Sequence, residues 1–238
     1  MTGSLANLSG QQVALMLVQL VVVIGSIVFH EVCHGLMAYR LGDPTAKNSG
    51  RLTANPLKHL DPFGSVILPL LLMFTGSAVF AYAKPVPYNP AYFKNRDRGE
   101  LLVAFAGPTA NLALGCVGAI VMWIAYGIGG GGPAAAYDGR YWLYLVGYEL
   151  AWINFVLFFF NILPIPPLDG STIIGACLRG NAKAAFYRIK NSAMLVFMIV
   201  VLVLPYVFHW DPLGAYLRFT AGGIMSYVSP AFTYYVGL

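Results

Sequence analysis

Six apolar runs constrain this chain more than any other feature; they lie at roughly 12–39, 63–83, 101–128, 142–165, 191–208 and, more weakly, 213–237. A helix needs about 20 predominantly apolar residues to cross a bilayer, and most of these runs reach that length. Breakers separate them: Gly42-Asp-Pro44, Lys84-Pro-Val-Pro87, Gly129–Pro133, Pro164–Gly170 and Asp211-Pro212. Charged residues make up 10% of the 238, against roughly 25% in soluble domains. The pattern predicts an all-α polytopic membrane protein with about five to six transmembrane helices. No polar stretch is long enough for an appended soluble domain. Residues 1–238 therefore read as a single domain, with a core at about 12–175 and accessory C-terminal helices at 191–238.

The stretch Met1–Gln12 contains no Lys or Arg, so it lacks the basic region of a cleaved secretory signal, and the first apolar run is expected to be retained. The formal charge of +5 sits in the segments between apolar runs. Its placement speaks for membrane orientation and not for a nucleic-acid partner. Cys33, Cys116 and Cys177 lie in or beside apolar runs and form neither a CxxC pair nor a disulfide framework.

His30-Glu31-Val32-Cys33-His34 is an HExxH sequence inside the first run. On a helix, side chains at i and i+4 share a face, so both imidazoles can reach one metal ion. Glu31 sits beside them, where it can take a proton from a metal-activated water. Ionisable groups at that depth in a bilayer are costly and mark functional sites. A catalytic zinc site needs a third protein ligand. The best candidate is Asp169, which follows directly on the charge-free stretch Ala151–Leu168, where an unpaired carboxylate would be expensive. The bland alternative is a proline-rich turn that ends a span; it accounts for the prolines but not for the acid.

Three stretches together, His30–His34, Phe105-Ala-Gly-Pro-Thr-Ala-Asn111 and Asn161-Ile-Leu-Pro-Ile-Pro-Pro-Leu-Asp-Gly170, resemble the signature motifs of site-2 proteases, intramembrane zinc metalloproteases of peptidase family M50. They cover the chain from about 25 to 175, and Gly50–Gly64 with Ala83–Pro90 resembles a compact prokaryotic branch without PDZ or CBS domain. The resemblance implies one Zn2+ per chain, Asp169 as third ligand, a transmembrane protein as substrate, and Asn161 as a residue that helps hold the substrate strand. Asn111 is open to two readings, helix packing or support of the site and substrate. His59 is either a surface residue or a catalytic or oxyanion group. The polar loop 40–62, turn-rich and partly β-like, could offer a strand edge to an extended substrate.

Two arguments that do not use the family bear on topology. His30, His34 and Asp169 can meet only if the first run and the run at 142–165 are parallel, which requires an odd number of crossings between them. The run at 63–83, interrupted by Pro69 and Gly76, is therefore expected to be a re-entrant hairpin and not a span. Twelve of the fourteen Lys and Arg, four each in 40–58, 84–98 and 179–190, then fall on one side. The positive-inside rule makes that side cytosolic, with the N-terminus outside and the metal site near the cytosolic face of the cell membrane. The rival reading is a transporter or channel whose intramembrane His and Asp form an ion path.

Overall fold

The computed structural model describes residues 9–61, 84–128, 139–198 and 207–229. Helix α1, Gly10–Arg40, starts at a capping box in which the Ser9 hydroxyl accepts from Gln12 N and the Gln12 side chain accepts from Ser9 N. It stops at Leu41-Gly42, where Gly42 takes a φ of 100° that favours glycine. Its buried face carries Ser26, His30, His34 and Ala38, one residue per turn. Helix α2, Thr45–Asn48, is a single turn. The long helices α3, Arg96–Ile128, and α4, Gly139–Asn161, follow. Helix α5, Asp169–Cys177, comes after the proline-rich turn, and α6, Gly180–Met198, after that. The last described run joins α7, Pro212–Leu217, through a π turn, Arg218–Gly222, to α8, Gly223–Val228.

Among the described residues α1, α3 and α4 are long and apolar enough to cross a membrane. The finer expectation of five to six spans goes beyond that number. The run at 63–83, with its expected re-entrant hairpin, lies outside the described residues. The flanks are instructive: Lys84 N donates to His59 O at 2.9 Å, so the chain on either side of that stretch meets at one place.

The cross-helix contacts give each helix a direction. His34 meets Val103 while His30 meets Asn111, so α1 and α3 are antiparallel. Gln19 bonds Glu149 and Ser26 bonds Asn154, so α1 and α4 run parallel, as the metal argument requires. Helix α3 packs against both and runs antiparallel to both. Small residues allow this closeness. A Cβ on Gly118 would come within 2.4 Å of Ala151 N, and one on Gly147 within 2.7 Å of Met122 N. The α7–α8 run packs antiparallel to α4, with the Tyr216 hydroxyl on Phe159 O and Tyr144 on Ser229, and it closes a core of Met122, Tyr144, Ala151, Phe155, Ala221 and Met225.

One expectation needs correction. The loop 40–62 is not β-like: its described residues hold α2, a 3-10 turn at Pro56–Lys58, and no strand. Local side-chain to backbone bonds decide this. Asp43 accepts from Thr45 N, and Asn55 from Leu57 N, which begins helical turns. Helices α3 and α6 begin before the apolar runs at 101 and 191, with more polar stretches at 96–100 and 180–190.

Candidate metal centre

The α1 stripe Ser26–His30–His34 faces the small-residue side of α3. His34 Nδ1 lies 2.6 Å from the Val103 carbonyl, which can only accept, so Nδ1 carries the proton. His30 Nδ1 lies 2.5 Å from Asn111 Oδ1 and donates in the same way. Each imidazole is thereby left with a lone pair on Nε2, the tautomer that a metal needs. The two Nε2 atoms are 3.0 Å apart.

Asp169 reaches them by a fold-back. Helix α4 ends at Asn161, and the proline-rich turn returns so tightly that a Cβ on Gly170 would fall 2.2 Å from Ile162 O. This places Asp169 at the start of α5, with Oδ2 at 3.1 Å from His30 Nε2 and 3.2 Å from His34 Nε2. Oδ2 is buried and has no hydrogen-bond partner. Three lone-pair donors thus face each other, within 4.8 Å of one another, with no proton between them. Such a set fits a small divalent cation with nitrogen and oxygen ligands, and zinc above all. The cradle is closed by Gly107, where a Cβ would lie 2.3 Å from His34 Nε2.

Glu31 points to a different neighbour. Its Oε2 accepts from Val86 N at 2.8 Å, and Val86 packs on Gly35, one turn further along the same face of α1. The segment 84–86 is itself clamped. The buried Arg51 guanidinium donates to the carbonyls of Lys84 and Pro85, and Lys84 N donates to His59 O. Burial pushes the nearby Tyr88 phenol up to about 12, with Glu100 adding to the effect, so this group stays protonated.

The remaining candidates are placed as follows. Asn111 is fully buried, with its oxygen on His30 and its nitrogen on Asn154. His59 is no surface residue: it is 2% exposed, its Nε2 bonds Thr53 O, and it stands outside the three-residue cluster. Asn161 donates its amide to Leu157 O in its own helix. Sequence reasoning did not single out Val86, Arg51, Gly107, Asn154 or Ser26. The glycine in Ala106-Gly-Pro108 was a usable signal, and a backbone N–H such as that of Val86 leaves none.

Residues 141–204 match the model of peptidase family M50. The chain is 35% identical over 197 residues to the Bacillus subtilis protein named "Putative zinc metalloprotease YwhC", covering 83% of this chain and 82% of that one. It is 31% identical over 229 residues to "Putative zinc metalloprotease Rip2" of Mycobacterium tuberculosis, covering 93% and 83%. No solved structure matches. Similarity along almost the whole chain, together with a cluster that suits zinc, makes this protein a zinc metalloprotease that belongs to peptidase family M50.

Proposed function

We propose that the chain is an intramembrane endopeptidase that hydrolyses peptide bonds within or near the transmembrane helices of membrane proteins. The observation that carries this reading is the convergence of two imidazoles and a carboxylate at helices apolar enough to span a bilayer. In this reading His30, His34 and Asp169 hold one Zn2+ per chain. When bound, zinc supplies Lewis-acid polarisation of the scissile carbonyl and brings water towards a pKa of ~7.

Glu31 takes the proton of the attacking water and passes it to the leaving amine nitrogen. The Val86 N–H holds one oxygen of that carboxylate and so orients the other. A substrate helix keeps its carbonyls in i to i−4 bonds, so it must unwind before attack. The Asn161 amide nitrogen is held by Leu157 O, which turns its oxygen towards the role of acceptor for an unwound substrate N–H. The cytosolic orientation is supported by Arg40 at the end of α1 and Arg96 at the start of α3, one end of the bundle, while Arg140 opens α4 at the other. Membership in a peptidase family displaces the ion-path alternative.

The test is metal analysis of detergent-purified wild type, Asp169→Ala and Glu31→Gln. About one zinc per chain is expected in wild type and Glu31→Gln, with a marked loss in Asp169→Ala. Glu31→Gln should keep its metal and lose cleavage of a reconstituted transmembrane substrate. A wild type that carries no zinc and takes up none when supplied would refute the reading.

A further inference from the structure

A buried polar chain crosses from α4 to the metal centre, and it has a direction. Asn154 is fully buried. Its Nδ2 donates at 2.8 Å to Leu150 O and at 2.8 Å to Ser26 Oγ. Its Oδ1 accepts from Asn111 Nδ2 at 2.8 Å. Asn111 Nδ2 also lies 3.5 Å from Ser26 O, and Asn111 Oδ1 faces His30 Nδ1.

The order of donors and acceptors follows from one end. Leu150 O is a backbone carbonyl and can only accept. It therefore forces Asn154 to turn its nitrogen towards α4's own backbone and its oxygen towards Asn111. Asn111 must answer with its nitrogen, which leaves its oxygen for His30. His30 must then donate from Nδ1, and Nε2 keeps the lone pair. Reversing any amide would set two donors or two acceptors against each other in an apolar interior, at a cost that the alternatives do not recover.

We propose that Asn154, which touches neither a metal nor a ligand, is a positioning residue that sets the metal-binding tautomer of His30 through Asn111. Ser26 is a helper in this arrangement, since Leu150 O alone suffices to orient Asn154. The inference rests on His30 being a zinc ligand, as proposed above.

The discriminating variant is Asn111→Asp. A carboxylate offers His30 an acceptor whichever way it turns, so Asn154 no longer sets the tautomer; its Oδ1 would face a carboxylate oxygen, and its removal should bring little or no loss. Zinc affinity is measured by chelator competition, and site geometry by the visible spectrum of the Co2+-loaded protein. Outer partners of metal-bound histidines typically govern affinity by about 10- to 100-fold. Asn154→Leu is expected to weaken zinc by that factor and to distort the Co2+ spectrum. In the Asn111→Asp background the same change should cost less than about threefold, a coupling of the kind that a double-mutant cycle isolates. Should Asn154→Leu fail to fold, Asn154→Ser, too short to reach Asn111, serves in its place. Equal losses in both backgrounds, or no loss in either, would overturn the relay. If the wild type binds no metal, the zinc reading itself fails, so the two failures are distinguishable.

Discussion

Two glycines in apolar helices show how differently the same residue can matter. Gly25 in α1 has nothing within 4 Å of a Cβ built on it, whereas a Cβ on Gly107 would sit 2.3 Å from His34 Nε2 and 2.6 Å from His30 Nε2. The nitrogen cannot yield without leaving the cluster, because Val103 O holds the other side of the ring. Gly107→Ala is therefore expected to lower zinc affinity at least tenfold, by analogy with the loss of an outer partner, while Gly25→Ala leaves it unchanged. Chelator competition on both variants checks this. At the same scale, Val86→Pro deletes the N–H that holds Glu31 and keeps an apolar residue in place. The expected result is a protein with its zinc but with cleavage reduced by about 10- to 100-fold, part of the roughly 100- to 10,000-fold that a positioned acid–base group contributes. Metal content and turnover of a reconstituted substrate, measured on one sample, separate the two effects.

Between elements, the decisive contact is that of α3 with α4. The α3 backbone at Met122 lies against Gly147, and that of α4 at Ala151 against Gly118. This contact sets the distance at which Asn111 finds Asn154. Gly118→Val forces the helices apart and is expected to destabilise the fold by about 1–3 kcal/mol, the usual range of overpacking. Thermal unfolding in detergent measures it, and zinc affinity should fall in parallel. By contrast, α6 is tied to α3 through the Lys183–Asp97 ion pair near the aqueous end. Asp97 holds the Lys183 ammonium above its usual range, so the small stabilisation is present below the unfolded pKa and vanishes as pH rises past the folded one. Exposed pairs of this kind are worth about 0–1 kcal/mol, and Lys183→Ala should barely move the midpoint.

For the whole molecule, the parallel pair α1 and α4 with antiparallel α3 packed against both means that the metal site, the end of α1 and the start of α3 share one end. In a chain freed of Cys33, Cys116 and Cys177, a cysteine at Lys94 should react with impermeant reagent from the cytosolic side. One at Gly139 should react from the outside. The opposite pattern would invert the proposed orientation without touching the site.

Much of this was legible in the chain itself, for physical reasons. Hydrophobic length announces helices that a bilayer can hold, and the i, i+4 spacing of His30 and His34 puts two ligands on one face, whatever the rest of the fold does. The cost of a carboxylate after Ala151–Leu168 singled out Asp169, and the need for the three to meet required α1 and α4 to be parallel. Other features depend on atoms brought together from distant parts of the chain. Asn161 to Asp169 reads as the end of a span, yet only the close packing of Gly170 on Ile162 shows that the chain doubles back. The loop 40–62 looked partly extended, and local side-chain bonds from Asp43 and Asn55 to the backbone made it turns. The burial of His59, the hold of Val86 on Glu31 and the order of the Asn154–Asn111–His30 chain were decided by tertiary structure alone. Hydrogen bonds across 55, 43 and 81 residues of sequence leave no periodicity to read.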